Sequence, residues 1–183
     1  MHNSKIKKKI ITLIGPTACN KTSTAVHLIK KFPISIIGVD SVQIYKRFNI
    51  GSAKPPKEIL EKYKHHLVDS ADPENIFSVK DFYDQAYRIV MQAHSNNRIP
   101  LLVGGTMMYF NALFKGINDI PEGNEAIREE LQRELDNRGV DKLFNELKEI
   151  DPESAKTVKK NDKQRIMRAL EVFKISGKKI SDF

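Results

Sequence analysis

The sequence predicts an α/β fold: a parallel sheet with helices on both faces, followed by a helical insertion. Three observations predict it. Apolar, β-branched runs at Ile10–Ile14, Ile36–Val39 and Leu101–Val103 alternate with stretches of helical periodicity. The first run leads directly into "GPTACNKT", where Gly15, Lys21 and Thr22 match G-x-x-x-x-G-K-[ST] at all but the second glycine, replaced by Asn20. From about Asn118 the β-branched runs cease and charge recurs at helical spacing. Together they predict a core of the P-loop, nucleotide-hydrolase-like kind over 1–117 and a helical insertion over 118–183.

The elements follow in order. Ile10–Ile14 reads as a buried strand closed by Gly15. Thr22–Lys31 carries Ala25, Leu28 and Ile29 at helical spacing, and Pro33 stops that helix. "ISIIGVD" is a second buried strand ending at Asp40. A long amphipathic helix begins after Ser78, a plausible N-cap, with Phe82, Ala86, Ile89 and Val90 as its stripe. "RIPLLVGGT" is a third strand, closed by two glycines. Strands apolar on both faces, joined by helices, are the pattern of a buried parallel sheet. In the insertion, "NDKQ" opens the last helix, with Asn161 as its expected cap and Gln164 completing a capping box. Ile166, Ala169, Leu170 and Phe173 form its stripe, and Gly177 ends it.

Composition bounds the partners. Lys+Arg 31 against Asp+Glu 23 gives a formal charge of +8, which fits a polyanionic partner. Lysine outnumbers arginine 23 to 8, so lysine abundance says little and the placed arginines carry more information. A single cysteine, Cys19, excludes an internal disulfide and a cysteine cage for metal. The basic N-terminus has too short an apolar run for a signal peptide, and no later stretch could span a membrane. A cytoplasmic monomer without membrane contact is expected.

The chemistry-bearing residues lie where strands end. A strand, a glycine-opened loop and a helix place backbone N–H groups and a helix N-terminus around a phosphate; Lys21 adds a point charge and Thr22 a hydroxyl ligand for Mg²⁺. The plainer reading is a tight turn before a helix. Asn20 is tolerated at positive φ better than other residues, but its side chain crowds the loop, so impaired rather than abolished phosphate binding is expected. Ligands of open parallel sheets sit at the carboxyl ends of the strands, so Asp40 and Gly104-Gly105-Thr106 should meet the loop in one crevice. Asp40 could serve there as a metal ligand or general base, or simply form a turn with Ser41. His65 and His66 read as loop-packing or capping residues, since no third metal ligand has suitable spacing.

The stretches "GPTACNKT", "DSVQIYKRFNIGSAKP", "HHLVDSADP", "LLVGGTMMYFNALFKG" and "DPESAKTVKKNDKQRIMRALEVFKISGK" together resemble the tRNA dimethylallyltransferases, in the order and spacing of that family. The resemblance implies transfer of a dimethylallyl group from dimethylallyl diphosphate to the exocyclic amine of the adenosine 3′ of the tRNA anticodon. It implies that Gly15, Pro16, Thr17, Ala18, Cys19, Asn20, Lys21 and Thr22 hold the diphosphate with Mg²⁺, and that Thr106 binds at the reacting group. It further implies that Asp40 receives the amine's proton and that Asp40, Ser41, Val42, Gln43 and Thr106 contact tRNA. By the same resemblance Arg128, Gln164, Arg165, Ile166, Met167 and Arg168 contact tRNA, with Arg165 and Arg168 on a face opposite the apolar stripe. The adenine must leave its stack to reach such a crevice.

Two other readings share these residues. A nucleoside-phosphate kinase would use the same loop, but the sequence offers no arginine-bearing lid. A non-catalytic RNA-binding remnant would keep the arginines alone. Family members continue well past "SGKKISDF", so a C-terminally shortened chain is expected, with an exposed apolar patch and an unpaired sheet edge.

Overall fold

The computed structural model describes residues 9–183; the basic N-terminal stretch before them lies outside the described residues. The described chain forms two compact units, one ending at Ile117 and the other running from Asn118 to Phe183.

The first unit is built on a four-stranded parallel sheet: β1 (Ile11–Ile14), β2 (Ile34–Val39), β3 (His65–His66) and β4 (Ile99–Gly104), in the order β1-β4-β2-β3. β2 is buried along its whole length, because its pleat feeds two apolar layers. Ile34 and Ile36 face helix α1 (Lys21–Ile29) and pack with Ala25 and Leu101. Ile37 and Val39 point the other way, into a cluster with Phe82, Ala86 and Val90 of α3 (Val79–Ser95) and Phe110 of α4 (Met107–Lys115). A short helix, α2 (Lys57–Lys62), precedes β3.

Ser78 caps α3 as its position suggests: its hydroxyl accepts from Asp81 N (3.1 Å) and the Asp81 carboxylate accepts from Ser78 N (2.9 Å). Phe82 then stacks on Tyr109, with ring centroids 4.0 Å apart. Burial pushes the Tyr109 phenol up to about 12, with the neighbouring Tyr45, Asp40 and Asp81 adding to it, so this tyrosine is a neutral packing residue.

Two expectations are corrected here. β1 is not buried: Ile11, Thr12 and Ile14 are exposed, because β1 is an edge strand paired only with β4 among the described residues. His65 and His66 are not loop residues but β3, parallel to Ile36 and Ile37. The His65 Nδ1 lies 2.6 Å from Tyr63 O, which requires the proton on Nδ1, and burial lowers the pKa of this imidazole.

The second unit consists of α5 (Glu125–Arg138), α6 (Val140–Ile150), α7 (Pro152–Thr157), α8 (Lys163–Ser176) and a closing 3₁₀ turn at Ile180–Asp182. Leu131, Leu143, Leu147, Ile166 and Leu170 form its core. Gly177 ends α8 at φ 68, the left-handed conformation that glycine adopts without strain. The cap of α8 is one residue later than its sequence suggests. Asp162, not Asn161, accepts from Arg165 N (3.1 Å), three residues on. Asp151 is buried and ties the unit together, accepting from Ser154 N and Oγ and from Ser181 N and Oγ at 2.7–3.1 Å.

Candidate functional site

The loop between β1 and α1 is drawn inward by a lysine. Lys21 Nζ donates to Gly15 O (2.8 Å) and Pro16 O (2.5 Å) and lies 3.6 Å from Cys19 Sγ. A Cβ on Gly15 would stand 2.7 Å from that sulfur, so the loop's tightness requires glycine at its start. Asn20 caps α1 at φ 58 and ψ 22 without a side-chain cap bond. That is the left-handed region, where asparagine is tolerated best after glycine. Ala18, at φ 65, shares it.

The carboxyl ends of β2 and β4 lock together beside this loop. Val39 O accepts from both Gly105 N and Thr106 N (3.2 Å each). A Cβ on Gly104 would sit 2.0 Å from Val39 O, so only glycine lets the two strand ends approach. Thr106 Oγ1 then accepts from Ser41 N (3.0 Å) and donates to Ser41 Oγ (3.4 Å). Asp40 Oδ1 accepts from Val42 N (2.9 Å) and Gln43 N (3.1 Å), which fixes the carboxylate in a turn of its own making.

These pieces border a crevice of about 600 Å³, within the size range of small-ligand sites. Thr17, Ala18, Cys19, Asn20, Lys21 and Thr22 line it from the loop, and Asp40 and Gln43 from the end of β2. Gly15, Pro16, Ser41, Val42 and Thr106 adjoin these residues without lining it. Sequence reasoning missed the opposite wall, formed by Ser52, Ala53, Pro56 and Ile59. That wall is held by Gln43 Nε2, which donates to Ser52 O (3.2 Å) and Ala53 O (3.1 Å). Lys54 anchors it from behind, its nearly buried ammonium donating to Tyr45 O, Asn49 Oδ1 and Asp69 Oδ1 at 2.6–3.2 Å. His27 and Lys30, also on the lining, were missed too. Lys21 and Lys30 outnumber the single carboxylate of Asp40, so the crevice suits an anion.

No group of three or more His, Cys, Asp or Glu that could hold a metal ion occurs among the described residues. The crevice instead offers the Thr22 hydroxyl and the Asp40 carboxylate. That donor set suits Mg²⁺, which retains waters and phosphate oxygens and takes few protein ligands.

The arginines expected to contact tRNA, Arg128, Arg165 and Arg168, lie in the second unit. Glu171 is buried, and its Oε1 accepts from Asn124 N (2.8 Å) and Arg128 Nε (2.8 Å). Its Oε2 accepts from Arg168 Nη1 (2.5 Å), and Arg168 Nη2 donates to Pro121 O (2.6 Å). Arg168 is therefore not on a free face opposite the apolar stripe; it turns in toward Glu171, a residue the sequence did not single out. Arg165 is exposed, 3.5 Å from Asp162, and Gln164 is exposed beside it. Met167 is half-buried, while Ile166 is fully buried in the core of this unit and presents no side-chain surface. Burial pushes Glu171 up, but hydrogen bonds from Arg168 and Asn124 and the charges of both arginines outweigh it. The carboxyl stays below its ordinary range.

Among the described residues no helix is long and apolar enough to cross a membrane. A sequence model of IPP transferase matches residues 43–183. A tRNA dimethylallyltransferase of Vesicomyosocius okutanii subsp. Calyptogena okutanii is 46% identical over 178 residues, covering 97% of this chain and 58% of that protein. Another, from Dichelobacter nodosus, is 44% identical over 168 residues, covering 92% of this chain and 53% of the relative. The chain thus spans about half the length of the curated relatives it matches. Among solved structures, the full-length tRNA isopentenylpyrophosphate transferase of Bacillus halodurans is 40% identical with a TM-score of 0.59, covering 93% of this chain and 57% of that one. A eukaryotic dimethylallyltransferase captured acting on tRNA is 29% identical with a TM-score of 0.80, covering 96% of this chain and 44% of that one. With the family model matched along most of its length, beside the loop and strand-end geometry above, this chain belongs to the IPP transferase family.

Proposed function

We propose that this chain carries the site for moving a dimethylallyl group from dimethylallyl diphosphate to the N6 amine of the adenosine 3′-adjacent to a tRNA anticodon. The observation that carries it is the meeting of the Thr17–Thr22 loop with Asp40 in one cationic crevice at the strand ends. In this reading Lys21 and the loop N–H groups bind the diphosphate, whose departure leaves negative charge that the loop stabilises. Mg²⁺, when held by Thr22, supplies further neutralisation of the diphosphate. The adenine nitrogen forms a bond to the first carbon of the dimethylallyl group while the carbon–oxygen bond to the diphosphate breaks. The nitrogen's proton passes to the Asp40 oxygen not held by Val42 and Gln43. Thr106 braces Ser41 at the strand end beside the crevice and acts on the reacting group through that position.

The first unit is then the transfer core and the second a helical tRNA-contacting insertion, working as a monomer in the cytoplasm. Gln164, Arg165 and Arg128 supply exposed groups for phosphate or base contacts. The test is incubation of the chain with dimethylallyl diphosphate, Mg²⁺ and tRNA, followed by nucleoside mass spectrometry. Dimethylallyl-adenosine at the position after the anticodon is the expected product. Diphosphate release without modified nucleoside would overturn the reading.

A further inference from the structure

The first unit has a second pocket, of about 400 Å³, at the amino ends of β2 and β4, away from the strand ends that form the crevice. Its charge is one-sided. Lys62, Lys64, His66 and Arg98 line it, and no Asp or Glu does. Arg98 is fixed rather than free to swing: its Nε donates to Ser35 Oγ (2.9 Å) and its Nη2 to Ile34 O, so its remaining N–H groups are held in place. Lys62 Nζ approaches the Tyr63 ring, 5.8 Å from its centroid, which holds one of these cations at the rim.

The rest of the pocket is not built for a bare ion. Ile29, Ile34, Ile89 and Ala93 give it an apolar floor, and Gln92 and Asn96 place two amides at the floor's edge. An apolar surface edged by amides suits a flat heterocycle with donors and acceptors on its rim. A fixed guanidinium beside lysines suits a phosphate. We propose that this pocket is a second phosphate-recognition site, shaped for a nucleotide whose phosphate meets Lys64 and Arg98 and whose base lies on the apolar floor. The nucleotide comes either free or as part of an RNA strand, and both sources present the same chemistry. The site is independent of the diphosphate crevice, so its failure leaves the transfer reading untouched.

His66 is a built-in reporter. Burial lowers its pKa, and Lys64, Arg98 and His65 push it further below the ordinary imidazole range. An anion among those cations must raise it. The experiment follows the His66 ring proton by NMR during titration with adenosine monophosphate, with inorganic phosphate, and with a short oligoribonucleotide.

Adenosine monophosphate should shift the His66 signal saturably and raise its pKa. It should bind more tightly than phosphate and do so equally well in Lys21→Ala, where the loop is disarmed. Lys64→Glu reverses an exposed charge without touching the core and should weaken that binding by at least about fivefold. The oligoribonucleotide binding more tightly than the mononucleotide identifies an RNA strand as the source; binding more weakly identifies a free nucleotide, and either supports the site. The proposal is overturned by any of three results: no saturable shift up to about 10 mM, a smaller loss in Lys64→Glu, or phosphate binding as tightly as the nucleotide.

Discussion

The buried carboxylate of Glu171 accepts from Arg128 Nε at 2.8 Å, and its second oxygen accepts from Arg168. One acid thus fixes the guanidinium groups of two residues that the family resemblance assigns to RNA contact. Glu171 is 1% exposed, so removing it would leave two arginines facing a buried gap. Its folded pKa is lowered, so its contribution is present above the unfolded value of about 4.3 and is lost as pH falls through the folded value. Glu134 and Asp151, also lowered, act in the same direction. Acid titration by circular dichroism should show helix loss below about pH 4.5, and Glu171→Gln should be less stable at neutral pH with a shallower acid dependence. An unchanged acid profile in the variant would assign the acid sensitivity elsewhere.

Arg165 and Arg168 differ in surroundings and should differ in effect. The Arg165 side chain is 71% exposed, whereas Arg168 is committed to Glu171 and Pro121. Arg165→Ala should leave thermal stability within about 0.5 kcal/mol of the parent and reduce the salt slope of tRNA binding by about one. Arg168→Ala should instead cost about 3 kcal/mol, because it strips a partner from a buried charge. Filter binding across salt concentrations, paired with urea unfolding, separates the two. Equal stability losses would show that both arginines are structural.

Asp40 holds a turn and, in the proposed reading, also accepts a proton; one substitution separates the two roles. Its Oδ1 holds the turn through Val42 N and Gln43 N, a role the Asn amide oxygen can also fill. Asp40→Asn should therefore keep tRNA binding and stability but reduce prenyl transfer by about 10²- to 10⁴-fold, the usual contribution of a general base. Asp40→Ala should lose the turn as well. If Asn restored activity lost in Ala, proton acceptance would not be the residue's role.

The core was legible because its signals are local. β2 and β4 are apolar on both faces, and α3 announces its start through Ser78; the partner that completes its cap, Asp81, is added by the structure. β1 was misread as buried because an edge strand of an α/β sheet can be as apolar as a central one; pairing on one side only is not written in composition. The loop and Asp40 followed from motif spacing, but the wall at Ser52–Ile59 did not. It is held by backbone carbonyls accepting from Gln43 and by Lys54, and neither pattern leaves a periodic signal. Glu171 stayed hidden for a related reason. A glutamate on a charged helix reads as surface until its partners, 43 and 47 residues away, fold onto it.

Asn20 occupies a backbone conformation that glycine adopts freely. Asn20→Gly should relieve about 1 kcal/mol of left-handed strain and remove a side chain from the crevice lining, tightening dimethylallyl diphosphate by about fivefold. Asn20→Val should weaken it, since a β-branched residue resists positive φ. Isothermal titration of the three forms is the measurement. Equal affinity for Asn and Gly would mean that the loop has adapted to its asparagine.

The last expectation concerns β1. Ile11 and Ile14 of β1, and Ile10 just before it, are each at least 43% exposed, and the strand's second edge has no partner among the described residues. Phe114, Met107 and Met108 are exposed as well, at 52–58%. A flat apolar edge with free N–H and C=O groups templates association between copies, and charge on such an edge is how proteins suppress it. The 183-residue chain should therefore bind a hydrophobic dye and aggregate on concentration. Ile11→Lys places a charge on the exposed edge while leaving Leu13, the half-buried member of the strand, in its layer. It should lower dye binding and light scattering and shift the melting temperature by no more than a few degrees. A large loss of stability would show that Ile11 is covered in solution, which makes the edge an interface rather than a liability.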